Sequence, residues 1–228
     1  MASLTAGTRI SRSAPDRRHP VGERQTGWQG AALRMLEFVA YPALAGCALL
    51  LLCLGVVTWL PALAAAAYAL RQWRDDGRPR PFLDTLEAFG RYWRRLWRHA
   101  LLSTVAGLVL VANVVFLTTR PGVAALALLA LQIGLVLASV PYHLALAVTA
   151  ARDPGGDVRR WCRGALLFAF AAPRRGLALL AVAIAAPVLT APLAVGPLLL
   201  GGTLPLLVGL WLADRPHPCT PPDRKRKP

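Results

Sequence analysis

The chain of 228 residues carries a formal net charge of +15, and 56% of its residues are hydrophobic whereas only 16% are charged. A soluble domain contains roughly 25% charged residues, so this composition argues against a soluble enzyme or binding domain. The excess of arginine fits the positive-inside bias of membrane proteins, and no module that recognises nucleic acid accompanies it. We therefore expect an integral membrane protein with no nucleic-acid partner.

The chain begins with a polar, basic segment. Residues 1–30 contain no apolar stretch of the kind that a cleavable signal peptide needs, and their composition predicts a disordered cytosolic tail. Residues 31–70 are then almost wholly apolar, too long for one span of roughly 20 residues but enough for a tight hairpin. We expect a break at Pro61, with a first limb at Leu36–Val57 and a short, Ala-rich second limb at Ala62–Leu70 that is only half a span.

A strongly amphipathic helix is predicted over Arg80–His99. Asp84 and Glu87 have the spacing of a capping box near its start. One face carries an apolar and aromatic stripe and the other carries four arginines, which is typical of a helix at the membrane–water interface beside anionic lipid. The stripe consists of Phe82, Leu86, Phe89, Trp93, Leu96 and Trp97, and the expected lipid contacts are Arg91, Trp93, Arg94, Arg95, Trp97 and Arg98.

The remaining apolar runs predict two more hairpins. Ala100–Thr119 and Val123–Ala150 have the length of spans and flank a tight turn at Arg120. A second basic region follows, and it contains another amphipathic helix over residues 157–172. Gly176–Leu212 is again long enough for two limbs, and its prolines and glycines indicate a break within it.

These elements define an all-α, polytopic membrane bundle of three hairpins with five or six spans. The membrane domain covers residues 31–213, includes the two basic interfacial helices, and precedes a basic cytosolic tail at residues 214–228. Segments rich and poor in arginine alternate strictly along the chain if each long apolar run is a hairpin. We therefore expect both termini to face the cytoplasm.

Few side chains in this sequence could carry chemistry. Tyr142 and His143, beside Pro141, form the best intramembrane polar site. A hydrogen bond from His143 to a neighbouring helix is favoured, and a His lining a cavity is the alternative. Asn113 and Gln132 are expected to make interhelical hydrogen bonds.

We expect no catalytic residue, no metal ligand and no cofactor. The motifs of nucleotide-binding loops and of zinc hydrolases do not occur in the sequence. The four cysteines, Cys47, Cys53, Cys162 and Cys219, are far apart and are predicted to form neither disulfides nor metal sites.

The segment Leu60–Leu102 resembles the signature of the YesL-like family of bacterial membrane proteins, a domain of unknown function. The resemblance rests on a Pro-Ala-x-x-Ala-x-x-Tyr type of segment, a charged turn and an aromatic helix. The matching positions are Pro61, Ala62, Ala65, Tyr68, Phe82, Phe89 and Trp93.

This resemblance implies a helical protein of the bacterial plasma membrane. Genes of the family often stand beside those of carbohydrate ABC transporters, which implies a non-enzymatic accessory or regulatory role in transport. The expected partners are anionic membrane lipids together with ABC transporter subunits or a homo-oligomer. A small transporter that works alone is the alternative.

Overall fold

A computed structural model describes residues 28–77 and 79–215, and nearly all of them are helical. Within these ranges the chain contains no strand, so the all-α prediction is confirmed. The predicted tails fall largely outside the described residues, although residues 28–30 and Asp214 belong to helices. The helices are α1 (Trp28–Cys53), α2 (Trp59–Asp76), α3 (Pro81–Thr118), α4 (Val123–Arg152), α5 (Val158–Leu166), α6 (Pro173–Thr190), α7 (Gly196–Leu200) and α8 (Thr203–Asp214).

The chain divides into two compact units with a boundary between Leu36 and Glu37. In the first unit the structure describes the opening turns of α1, where Leu33 and Met35 are exposed. The second unit, from Glu37 onward, contains the remaining helices.

Five helical segments are long and apolar enough to cross a membrane, which confirms a multi-pass membrane protein. α2 is not among them, because four charged residues lie in its last two turns. The segments are Ala31–Cys53, Pro81–Thr118, Val123–Arg152, Pro173–Leu193 and Gly196–Asp214.

The centre of the second unit is α2, which packs against α3, α4 and α8. Its buried residues are mostly alanines, whose small side chains let neighbouring helices approach closely. The predicted half-span Ala62–Leu70 is therefore the buried middle of an 18-residue helix. The core of the unit, here called the α2 core, is formed mainly by α2, Pro81–Ala100 of α3 and Pro141–Ala151 of α4, and α1, α5, α6 and α8 each add buried residues to it.

The break predicted at Pro61 is wrong. Pro61 lies in the first turn of α2, where backbone N–H groups have no acceptor within the helix. The missing N–H of proline therefore costs no helical hydrogen bond there. The chain turns instead after α1, where the Thr58 amide donates to the carbonyl of Gly55 at 2.7 Å. α2 ends at Gly77, whose φ of 65° lies in the left-handed region that favours glycine.

The helix boundary predicted between His99 and Ala100 is also wrong. α3 runs without interruption from Pro81 to Thr118, because no proline or turn sequence separates the arginine-rich half from the apolar half. Its 38 residues extend about 57 Å, whereas the hydrocarbon layer is about 30 Å thick. The two elements expected from the sequence are therefore one helix that is longer than a single span.

The predicted capping box does not form either. The N-cap is Arg80, which makes no side-chain capping bond, and Pro81 occupies the first helical position. Asp84 still lies in the first turn of α3, where a negative charge is favourable.

The C-terminal elements agree with the predicted pattern. The helix expected over residues 157–172 is α5, followed by a π-helical turn at Leu167–Ala171. The third hairpin breaks between α6 and α8, where a 3₁₀ turn at Ala191–Leu193 and the short α7 intervene. α7 packs closely on α1: a Cβ atom at Gly46 would overlap the backbone carbonyl oxygen of Leu199.

Candidate functional site

A cluster of polar and aromatic side chains joins α2, α3 and α4. His143 of α4 donates from Nδ1 to the carbonyl of Ser139 at 2.7 Å, and its Nε2 lies 3.1 Å from the hydroxyl of Ser103 on α3. Because a carbonyl oxygen can only accept, the Nδ1 atom must carry a proton. In the neutral imidazole the Ser103 hydroxyl then donates to Nε2.

A second bond between the same two helices lies beside the first. The Tyr142 hydroxyl of α4 is 3.2 Å from Nε2 of His99 on α3. Trp59 of α2 packs its ring edge-on to His143 at 4.8 Å and donates from Nε1 to Thr104 at 3.1 Å. We call these six residues the polar cluster: Trp59, His99, Ser103, Thr104, Tyr142 and His143.

The polar cluster contains the hydrogen bond that the sequence favoured for His143. Both ring nitrogens have partners within the chain, an arrangement that fixes the ring and ties α4 to α3. In the described ranges, no group of three or more His, Cys, Asp or Glu side chains is placed to hold a metal ion. A working role for Tyr142 and His143 stays a prediction.

Four members of the polar cluster were missed in the sequence: Trp59, His99, Ser103 and Thr104. A partial signal exists, since His99 and Ser103 are four residues apart and therefore share one face of α3. Spacing within one helix does not indicate which face meets α4.

The arginine-rich half of α3 is partly committed to contacts within the protein. Arg95 donates from Nη1 to the carbonyls of Pro154 and Gly156, each at 3.0 Å, and lies 5.8 Å from the ring of Trp161. Trp161 is itself buried, and its indole N–H donates to the carbonyl of Asp153 at 2.9 Å. Arg95 therefore fastens the turn between α4 and α5 to α3.

The other predicted lipid contacts make no hydrogen bond to another helix or turn among the described residues. Arg91, Arg94 and Arg98 are exposed, and the Arg98 guanidinium lies 5.3 Å from the ring of Trp97, which is 42% exposed. Trp93 is half-buried and stacks on Phe89. Lipid contact by these residues stays a prediction.

The face of α3 that packs on the core is not the predicted stripe. Of the six stripe residues only Leu96 is fully buried, and Trp97 and Leu86 are exposed. Small residues, one leucine and one tyrosine line the packing face, which lies against the alanines of α2. Its members are Thr85, Ala88, Tyr92, Leu96 and Ala100.

An ion-pair network joins the ends of α2, α4 and α8. Asp75 pairs with Arg71 at 3.1 Å and with Arg74 at 3.0 Å, while Asp214 pairs with Arg74 and with Arg152. Partial burial alone would raise the pKa of Asp75, but hydrogen bonds and charge from Arg74 and Arg71 outweigh it and hold the pKa below its ordinary value.

The outer part of the α3–α4 hairpin differs from all of this. We call residues 101–137 the distal hairpin. In the most apolar stretch of α3 only 6% of the residues are buried, and in that of α4 none is. Asn113 lies on this surface, is exposed, and makes no hydrogen bond with any described residue, and Oε1 of Gln132 is buried without a partner there. The interhelical bonds predicted for these two amides therefore do not form among the described residues.

Five apolar helical segments and a buried alanine-rich helix define a multi-pass helical membrane protein. Residues 38–114 match the model of the family described as "Protein of unknown function, DUF624". This is the YesL-like family, so the resemblance found in the sequence is confirmed over α2 and most of α1 and α3. No curated protein and no solved structure matches the chain.

Proposed function

We propose that this protein is a non-enzymatic accessory or regulatory partner of a carbohydrate transport system in the bacterial cell membrane. The YesL-like resemblance supports the class of cargo, because genes of that family often stand beside those of carbohydrate ABC transporters. The partners that we expect are subunits of such a transporter.

The observation that carries this proposal is the amide of Asn113 on the distal hairpin. An amide in the hydrocarbon region gains roughly 1 kcal/mol when it finds a partner on another helix. Asn113 has none among the described residues, and its neighbours one and two turns earlier on the same face, Val109 and Ala106, are exposed. A transmembrane helix of another subunit would satisfy the amide and cover this face.

The polar cluster supports an accessory role over catalysis. His143 bonds to the Ser139 carbonyl and the Ser103 hydroxyl within the packed junction of α3 and α4. None of the six residues of the cluster is a carboxylate that could orient the imidazole as a base toward Ser103, so a packing role is favoured.

A deletion strain and purified protein test the proposal together. Loss of the gene should lower uptake of a labelled carbohydrate, whereas the purified chain in liposomes should transport none. Asn113→Leu should reach the membrane at the normal level yet fail to restore uptake. Val105→Leu, an apolar change at another exposed position of α3, is the matched control and should restore it. Normal uptake in both the deletion strain and the Asn113→Leu strain would contradict the proposal.

We also propose that both termini face the cytoplasm and that Arg91, Arg94 and Arg98, with Trp97, contact anionic headgroups there. Each arginine near an anionic surface contributes about 1 kcal/mol at low salt. Reporter fusions at Gly30 and Pro228 should both report the cytoplasmic side. Five candidate spans alone would place the two ends of the chain on opposite sides, but α2 returns the chain to the side on which α1 begins. Phe38 near the start of α1 and Trp211 near the end of α8 both lie beside Trp73 near the end of α2, which supports this proposal. Reports from opposite sides would contradict it.

A stand-alone transporter is the second candidate, and the polar cluster beside Pro141 is what favours it. If this candidate is correct, His143→Gln, which keeps a side chain capable of hydrogen bonding, should abolish transport in liposomes. On the accessory proposal His143→Gln should support normal uptake in cells. His143→Leu should lower the free energy of unfolding by about 1 kcal/mol through the lost interhelical bond.

A further inference from the structure

A groove with a volume of about 580 Å³ lies in the second unit, between α1, α2 and α8. Its volume falls within the range of roughly 300–1,000 Å³ that is typical of ligand pockets. One arginine and five apolar side chains line it: Phe38, Trp73, Arg74, Leu207, Val208 and Trp211. The groove lies at the end of α2 that carries the ion-pair network.

The walls of the groove are aromatic. The ring of Trp73 lies 6.1 Å from that of Phe38 and 5.4 Å from that of Tyr41, so two rings of α1 hold it in place. Trp211 of α8 forms another wall and is more than half exposed. α1 and α8 both belong to candidate membrane spans, so an apolar chain of a lipid could reach these walls from the bilayer.

Positive charge collects at the edge of this groove. Arg74, which lines it, shares Asp75 with Arg71 and Asp214 with Arg152. Arg215 follows the last residue of α8, and its guanidinium lies 3.5 Å from the centre of the Trp211 ring. The four arginines are Arg71, Arg74, Arg152 and Arg215. They outnumber the carboxylates of Asp75 and Asp214, and they still do so when Asp76 is added to the count. Arg215 forms no ion pair with a described residue.

We propose that this groove is a binding site for an anionic phospholipid, with its acyl chain against Trp73 and Trp211 and its phosphate beside Arg215. The amphipathic form of the groove supports this ligand over a wholly apolar one, because the charge lies where the apolar span of α8 ends. Arginine is well suited to phosphate, since its planar guanidinium can donate two parallel hydrogen bonds. The site is built from α1, α2 and α8, so it is separate from the arginine face of α3 and independent of the accessory role.

The experiment is a lipid titration of the full chain in detergent, followed by native mass spectrometry. Phosphatidylglycerol and phosphatidylcholine with identical acyl chains serve as the probes. The first phosphatidylglycerol should bind about fivefold more tightly than the first phosphatidylcholine, which corresponds to one arginine at the headgroup. Arg215→Gln should bring the two affinities close to equality, and Arg215→Lys should keep most of the difference.

Matched control variants test whether lipid binding depends on this groove or on any exposed arginine or apolar surface. Arg163→Gln removes an exposed arginine of α5, and Val188→Phe enlarges an exposed side chain of α6; neither should change lipid binding. Val208→Phe narrows the groove and should weaken both lipids. Arg215 is exposed and follows α8, so its variants stay informative even if Val208→Phe fails to fold.

Four results would overturn the proposal. The first is equal affinity for the two lipids, and the second is an equal effect of Arg215→Gln and Arg163→Gln on binding. The third is displacement of phosphatidylglycerol by glycerol phosphate at equal concentration, which would indicate a site for anions in general. The fourth is a species of twice the chain mass that Val208→Phe dissociates, which would assign the groove to a second copy of the chain.

Discussion

The α2 core and the distal hairpin are both apolar and helical, yet they have opposite surroundings. In the α2 core, alanines such as Ala65 and Ala147 are completely buried, and helices pack at close range. In the distal hairpin, large side chains such as Leu108 and Leu131 are 61% and 70% exposed. The difference shows that alanines let the helices of the α2 core approach closely, whereas the distal hairpin leaves its large aliphatic side chains largely uncovered by the described chain.

The largest expected effect comes from truncating one leucine in each region. Leu96→Ala should lower the free energy of unfolding by about 3 kcal/mol, because Leu96 is completely buried in the α2 core. Leu108→Ala on the distal hairpin should change it by less than about 0.5 kcal/mol. Unfolding titrations in mixed micelles measure both. Equal losses would mean that the distal hairpin is packed within the chain.

A pair of glycine substitutions extends the contrast beyond leucine. Gly46→Ala should destabilise the protein by about 2 kcal/mol, because the added Cβ meets the backbone carbonyl of Leu199, which cannot rotate away. Gly134→Ala on the distal hairpin meets nothing within 4 Å and should be neutral or stabilising by up to about 1 kcal/mol. Thermal melts of the two variants, with Gly107→Ala as a second open position, decide this. A stable Gly46→Ala variant would show that α1 and α7 do not approach as described.

Two arginines of α3 should likewise differ in how much their removal lowers the free energy of unfolding. Arg95→Ala should cost about 1 kcal/mol, since it removes two hydrogen bonds to carbonyls of the α4–α5 turn and the contact with Trp161. Arg94→Ala should change the free energy of unfolding by less than about 0.5 kcal/mol. The same mixed-micelle titration applies. If Arg94→Ala proves the more damaging, the turn is not held by Arg95.

The smallest expected effect is the loss of the stabilising ion pairs of Asp75 at low pH. Its folded-state pKa is below the ordinary value, so its contribution is present above the unfolded pKa of about 3.9 and is lost as the pH falls through the folded value. Because the ion pairs are exposed, the contribution should be under about 1 kcal/mol. Melting temperatures from pH 7 down to pH 3 should converge for the parent chain and Asp75→Asn. A constant difference across that range would contradict the assignment.

Much of the fold is predictable because long apolar runs and their proline breaks are local features. The three hairpins, the helix over residues 157–172 and the break within Gly176–Leu212 are all visible in the sequence. The continuity of α3 was missed because a change in composition at His99 resembles a boundary, although no residue there ends a helix.

The packing face of α3 was missed for a different reason. In a soluble protein an apolar stripe indicates the face that packs on the core. In a membrane the surrounding lipid is as apolar as the protein interior, so a stripe does not distinguish the two faces. The aromatic residues Phe82, Trp93 and Trp97 therefore stand out in the sequence without being the ones that pack most closely. Thr85 and Tyr92, which are completely buried, gave no such signal.

The central claim is that the distal hairpin contacts another membrane subunit, and photo-crosslinking in living cells tests it most directly. A photoreactive amino acid would replace Ala106 or Val109, on the same face as Asn113, and Leu189 of α6 as the exposed control. We predict that Ala106 and Val109 give a crosslinked band that contains a permease subunit of a carbohydrate transporter, and that Asn113→Leu abolishes the band. Crosslinks to lipid alone at both positions, or the same protein band from Leu189, would contradict the account.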